Sequence, residues 1–139
     1  MKHLSLSFFT LCAVLLLGAC GGGGKNPGFG GGSPAVTLAP TTLTFDSQIQ
    51  GTVSTAQPVT LTNSGTVPLS IVSVAASANY AVDSTACPAT LAAGANCIVN
   101  VTFAPVAPAT GTVTGTIAFT DNASNSPQTV TLTGTATGV

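Results

Sequence analysis

Cys97-Ile98-Val99-Asn100-Val101-Thr102-Phe103 is the stretch whose reading decides the fold. Cys97, Val99, Val101 and Phe103 share one parity, and Ile98, Asn100 and Thr102 hold the other. A period of two is the signature of a strand with one face in a core and one in solvent. The pattern recurs on both sides. Val59 and Leu61 alternate with Thr60 and Thr62; Val113, Ile117 and Phe119 alternate with Thr112, Thr114 and Thr116; Val130 and Leu132 alternate with Thr129, Thr131 and Thr133. No window from residue 35 onward keeps a helical period. Phe45, Phe103 and Phe119 fall on inward parities, which leaves Tyr80 and Phe29 as the aromatics expected to be free.

Extending this reading predicts strands at Ala35–Leu38, Leu43–Phe45, Pro58–Asn63, Leu69–Ala75, Asn79–Val82, Cys97–Phe103, Gly111–Thr120 and Gln128–Ala136. Leu69, Ile71, Val72 and Val74 switch parity within one strand, which predicts a β-bulge. Asn63-Ser64-Gly65 and residues 121–127 carry turn chemistry. Seven or eight short strands in this length point to an all-β, immunoglobulin-like antiparallel sandwich. An antibody-type domain is disfavoured, because there is no Trp and Cys87 and Cys97 lie too close together.

Composition restricts function. The 139 residues contain two Lys, three Asp, one His, and no Arg or Glu, so 4% are charged, against about a quarter in an ordinary domain. Lys2, His3 and Lys25 precede the strands, leaving Asp46, Asp83 and Asp121 as the ionisable carboxylates of the β region. Acid/base catalysis and metal capture draw on the residue types that are missing, and counterion-release binding of nucleic acid needs a basic face. The expectation is a non-enzymatic domain with no cofactor, no nucleic acid and no small-molecule substrate. The three Asp are read as loop caps. Asp121, Asn122 and Asn125 form an oxygen-rich loop, a weak candidate for Ca²⁺ that falls short of a dedicated ligand set.

Solubility without charge is assigned to the outward Thr rows. Thr suits a pleated, wetted face and can hydrogen-bond across strands. Ordered hydroxyl rows could instead template ice or mineral, but in the linear sequence they are interrupted by loops and lack a fixed repeat. The sequons at Asn100 and Asn122 add nothing in a bacterial setting.

The start of the chain has a different texture. Met1-Lys2-His3 is a short basic region, and Leu4–Leu17 is an apolar stretch too short to span a membrane, a task that takes about 20 residues. Its proportions are those of a secretory signal. Leu17-Gly18-Ala19-Cys20 follows, and the segment resembles a bacterial lipoprotein lipobox. The resemblance implies a signal peptide over 1–19, cleavage after Ala19, and thioether lipidation of Cys20. It further implies an exported, membrane-anchored protein, and Gly21 after the Cys implies the outer membrane in a two-membrane cell. An ordinary cleaved signal ending near a chance Cys is the alternative. Residues 20–34 hold the anchor Cys and then eight Gly in the 14 positions from Gly21 to Pro34. Such a chain is a flexible tether spanning roughly 20 Å. Cys12 leaves with the signal and Cys20 takes the lipid, so Cys87 and Cys97 remain. In an exported domain an isolated pair most often forms a disulfide; two free thiols or half of a metal site are the alternatives.

Residues 35–139 carry a second resemblance. Leu38-Ala39-Pro40-Thr41-Thr42-Leu43-Thr44-Phe45, then Gln57–Gly65, Leu69-Ser70-Ile71, Cys87 to Cys97, Val101-Thr102-Phe103-Ala104-Pro105 and Gly134-Thr135-Ala136 are similar in order and spacing to the bacterial choice-of-anchor D domains. These are relatives of the ASH (ASPM, SPD-2, Hydin) domains. The resemblance implies a PapD-like or MSP-like sandwich on a bacterial surface, acting in display, adhesion or scaffolding toward an envelope partner. A module that binds peptides by strand addition at an open sheet edge is the competing expectation. The echo between Gln57–Thr66 and Gln128–Thr137 reads as two similar strands, not a repeat.

Overall fold

A computed structural model describes residues 31–139. The expected signal peptide, Cys20 and most of the expected tether lie outside the described residues. Ten strands follow in chain order: β1 (Val36–Ala39), β2 (Thr42–Thr44), β3 (Gln48–Ile49), β4 (Gln57–Asn63), β5 (Leu69–Ala76), β6 (Tyr80–Asp83), β7 (Thr90–Leu91), β8 (Asn96–Phe103), β9 (Gly111–Asp121) and β10 (Gln128–Thr137). The eight predicted strands are all present, with ends that differ by one residue or none. The two additions, β3 and β7, have only two residues each, too few to show a period.

The strands form two sheets. Sheet one has the order β1-β4-β8-β6, and sheet two the order β2-β10-β9-β5-β7 with β3 also on β10. The chain crosses between them at the cis Ala39-Pro40 peptide, so that β1 closes one sheet and β2 the other. Pairing is antiparallel throughout, except that β2 and β3 run parallel to β10. The predicted bulge is a register shift between Ile71 and Ser73 opposite β9. Among the described residues there is no helix long and apolar enough to cross a membrane.

The period-two reading fixes the core. Val59 and Leu61 of β4 and Val99, Val101 and Phe103 of β8 meet Ile117 and Phe119 of β9 and Val130 and Leu132 of β10, all fully buried. Fully burying a side chain of this kind stabilises by about 1.5–3 kcal/mol. Phe45, Tyr80 and Phe103 form an aromatic cluster between the sheets, with ring centroids 5.0–6.1 Å apart. Two glycines of sheet two make room for it. A Cβ at Gly134 would stand 2.7 Å from the Phe103 ring, and one at Gly115 would stand 2.8 Å from Tyr80.

Candidate functional site

The residues able to carry chemistry are dispersed, and two of the three carboxylates are committed to local structure. Asp83, which ends β6, accepts hydrogen bonds at Oδ1 from the Thr85 hydroxyl (2.7 Å) and the Thr85 amide (3.0 Å). These bonds hold its carboxyl below the usual aspartate range. Asp121 ends β9 in the other sheet, and its Oδ1 accepts the Ala123 amide at 2.8 Å. Both therefore cap loops, as expected for Asp at strand ends. Asp46 follows β2 and shares no cluster with either. No group of three or more metal-ligating side chains occurs among the described residues.

The oxygen-rich turn has its own architecture. Asn122 Oδ1 accepts the Ser70 amide at 2.8 Å, which ties the turn to β5. Asn125 donates to the Val36 carbonyl at 3.1 Å and accepts from Gln128 at 3.1 Å, which ties it to β1. Asp121, Asn122 and Asn125 thus share one loop, which Asn122 ties to its own sheet and Asn125 ties across to sheet one.

Cys87 and Cys97 are joined by a disulfide with Cα atoms 5.1 Å apart. The bond pins the loop after β6 to the start of β8.

Tyr80 departs from expectation. It was expected to be free, yet it is 8% exposed and its hydroxyl donates to the Val113 carbonyl at 2.8 Å. The cause is the turn before it. Asn79 adopts the left-handed region at φ 70° and its carbonyl accepts the Ala104 amide, which turns the first residue of β6 inward. Burial raises the phenol above its usual value. Every aromatic among the described residues is consequently buried, so none offers a platform for sugar stacking.

What the surface does offer is backbone. Ser77 N donates to Thr116 O, and Ser73, Ala75 and Ser77 alternate as the residues bonded to β9. In an antiparallel ladder the intervening residues direct their N–H and C=O the other way. Val74 and Ala76 therefore present donors and acceptors to an edge that β7 covers only at Leu69 and Ser70. The edge carries no charged side chain, and Val72 in the bulge is 74% exposed. The alternation of β5 was legible in the sequence; which of its edges stands open depends on sheet order and was not. The surface of the described residues contains no pocket.

A family model described as "Abnormal spindle-like microcephaly-assoc'd, ASPM-SPD-2-Hydin" matches residues 34–129. The chain belongs to the ASH family. Solved structures agree on the fold of this ASH chain. The ASH / PapD-like domain of human CEP192 (PapD-like domain 7) is 14% identical with a TM-score of 0.56, covering 99% of each chain. A protein of unknown function from Porphyromonas gingivalis W83 is 14% identical with a TM-score of 0.60, over 73% of this chain and 46% of that one. The periplasmic chaperone SfaE is 10% identical with a TM-score of 0.51, over 76% of this chain and 60% of that one. The ASH chain thus spans about half the length of the Porphyromonas gingivalis protein and under two thirds of the chaperone. A search of the curated proteins returns no match.

Proposed function

We propose that the chain is a non-catalytic binding or scaffolding module of the bacterial cell envelope, exported and held at a membrane by lipid on Cys20. In a cell with two membranes that membrane is the outer one, as Gly21 implies, and the family subtype is the choice-of-anchor D domain. The observation that carries the reading is the employment of the ionisable side chains. Asp83 and Asp121 cap loops, Tyr80 is a core residue, and among the described residues no pocket gathers acids, bases or nucleophiles. Recognition then rests on backbone edges and uncharged faces, toward an envelope protein rather than a nucleic acid or small substrate. Crosslinking in intact cells, followed by capture of the anchored protein, tests this. Specific partners should appear with the native chain and fall away with Cys20→Ser. A mature chain starting at Cys20 without added lipid mass removes the anchor.

The open β5 edge favours a second reading, strand addition by an extended peptide. Val74→Pro deletes one outward N–H and leaves the β9 ladder intact. If partner capture survives that change undiminished, the edge is not the binding site.

A further inference from the structure

The outer faces of the two sheets meet the same solvent, yet they are built differently. Sheet one presents a mixture that includes Pro58, Thr60, Ile98 and Asn100. Sheet two presents hydroxyls in register. Thr131 stands opposite Thr42 on one side and Thr116 on the other. Thr133 stands opposite Thr44 and Thr114, and Thr135 opposite Thr112. The first row ends at Thr116, because Ser77 Oγ, 3.4 Å from the Thr116 hydroxyl, accepts the Thr116 amide at 2.9 Å and so belongs to the backbone ladder. Rows that look interrupted along the sequence are therefore aligned across strands, with a spacing of about 4.8 Å between strands and about 6.8 Å along them. A wetted sheet does not require this order, as sheet one demonstrates.

The chemistry of the face restricts its occupant. The Thr rows themselves carry no charge, and the exposed Asp46, two residues past Thr44, stands at their margin, so an ionic partner has nothing to pair with within the rows. All aromatics of the described residues are buried, so a sugar ring has nothing to stack on. The exposed apolar side chains nearest to it stand at its margins, Ile49 beside Thr137 and Val72 in the β5 bulge. What fits is a neutral partner that hydrogen-bonds to hydroxyls and is itself periodic in two dimensions. Crystalline water meets all three conditions.

We propose that the outer face of β2, β10 and β9 binds ice. The β-branched Thr side chains are stiff at χ1, so their hydroxyls are held on the grid before docking and little rotamer freedom is lost on contact. Adjacent strands are rotated by about 20–25°, which concentrates the match on the central pair, at Thr131 with Thr116 and Thr133 with Thr114. This inference is independent of any protein partner.

The test is recrystallisation of polycrystalline ice with the purified full chain, read as grain growth on annealing, together with the gap between freezing and melting of a seeded crystal. The native chain should arrest grain growth and open a gap. Thr131→Tyr and Thr116→Tyr, which push a ring out of the grid from either strand, should each abolish both effects, whereas Asn100→Tyr on the opposite sheet should retain them. Cooperative melting confirms that each variant is folded. A native chain without effect on ice overturns the proposal, as does equal loss or equal retention in the Thr131 and Asn100 variants. Retention on microcrystalline cellulose or chitin with no effect on ice overturns it in favour of a polysaccharide surface.

Discussion

Asn63 shows how much a single side chain decides in a domain with few polar anchors. It is fully buried, donates through Nδ2 to the carbonyls of Val67 (2.8 Å) and Leu91 (3.1 Å), and accepts the Gly65 amide at Oδ1 (3.0 Å). The sequence marks Asn63-Ser64-Gly65 as a turn, and that is right. The inward parity of Val59 and Leu61 extends to Asn63, but its partners are not marked, because Leu91 is 28 positions away. Asn63→Ala leaves three backbone groups without their partner, and each buried orphan costs about 1–3 kcal/mol. A loss of about 3 kcal/mol is expected in urea unfolding, with an unchanged denaturant slope. Tyr80 gives a pH prediction. Burial raises its phenol above 10.0, so folding favours the neutral form. That contribution is complete below the unfolded phenol value and disappears as pH rises through the folded one. As the single Tyr of the chain, it can be followed by ultraviolet absorbance. Native protein should titrate at higher pH than protein in urea, and stability should decline only above about pH 10.

At the scale of elements, strands with a buried face declare themselves in the sequence because alternation needs only the residues of that strand. β8 and β10 do so along nearly their whole length. What stays hidden depends on neighbours: β3 and β7, the inward turn of Tyr80, the open edge of β5 and the alignment of the Thr rows. The two short strands and the open edge follow from sheet order, the inward turn of Tyr80 from the backbone at Asn79, and the Thr rows from register, where a one-residue slip would turn them to the other face. The disulfide is an element-scale constraint of the same kind. It closes a loop of separation 10, and removing it in Cys87→Ala/Cys97→Ala should lower stability by about 3 kcal/mol. Reducing agent should lower the melting temperature of the native chain and leave that of the double variant unchanged. Gly134→Val tests the contact between the sheets. Its side chain meets the Phe103 ring, and overpacking of this kind costs about 1–3 kcal/mol.

The sandwich of the described residues is closed by β10. β10 lies between β9 and the early strands β2 and β3, so sheet two is incomplete until the final residues are in place. Sheet one is bound to it through the shared core, which includes the Phe45, Tyr80 and Phe103 cluster. Neither sheet has a second core to retain if the other opens, since the buried residues of both belong to one cluster. Small domains of this form unfold as a unit. The single Tyr and the absence of Trp make this directly observable, because tyrosine emission reports the contact between sheets while far-UV circular dichroism reports the strands. The two denaturation curves should superimpose for the native chain. Phe103→Leu removes one ring from the cluster and should move both curves to lower denaturant by the same amount. If emission changed well before the circular dichroism, the sheets would separate as independent layers, and the aromatic cluster would not be what couples them.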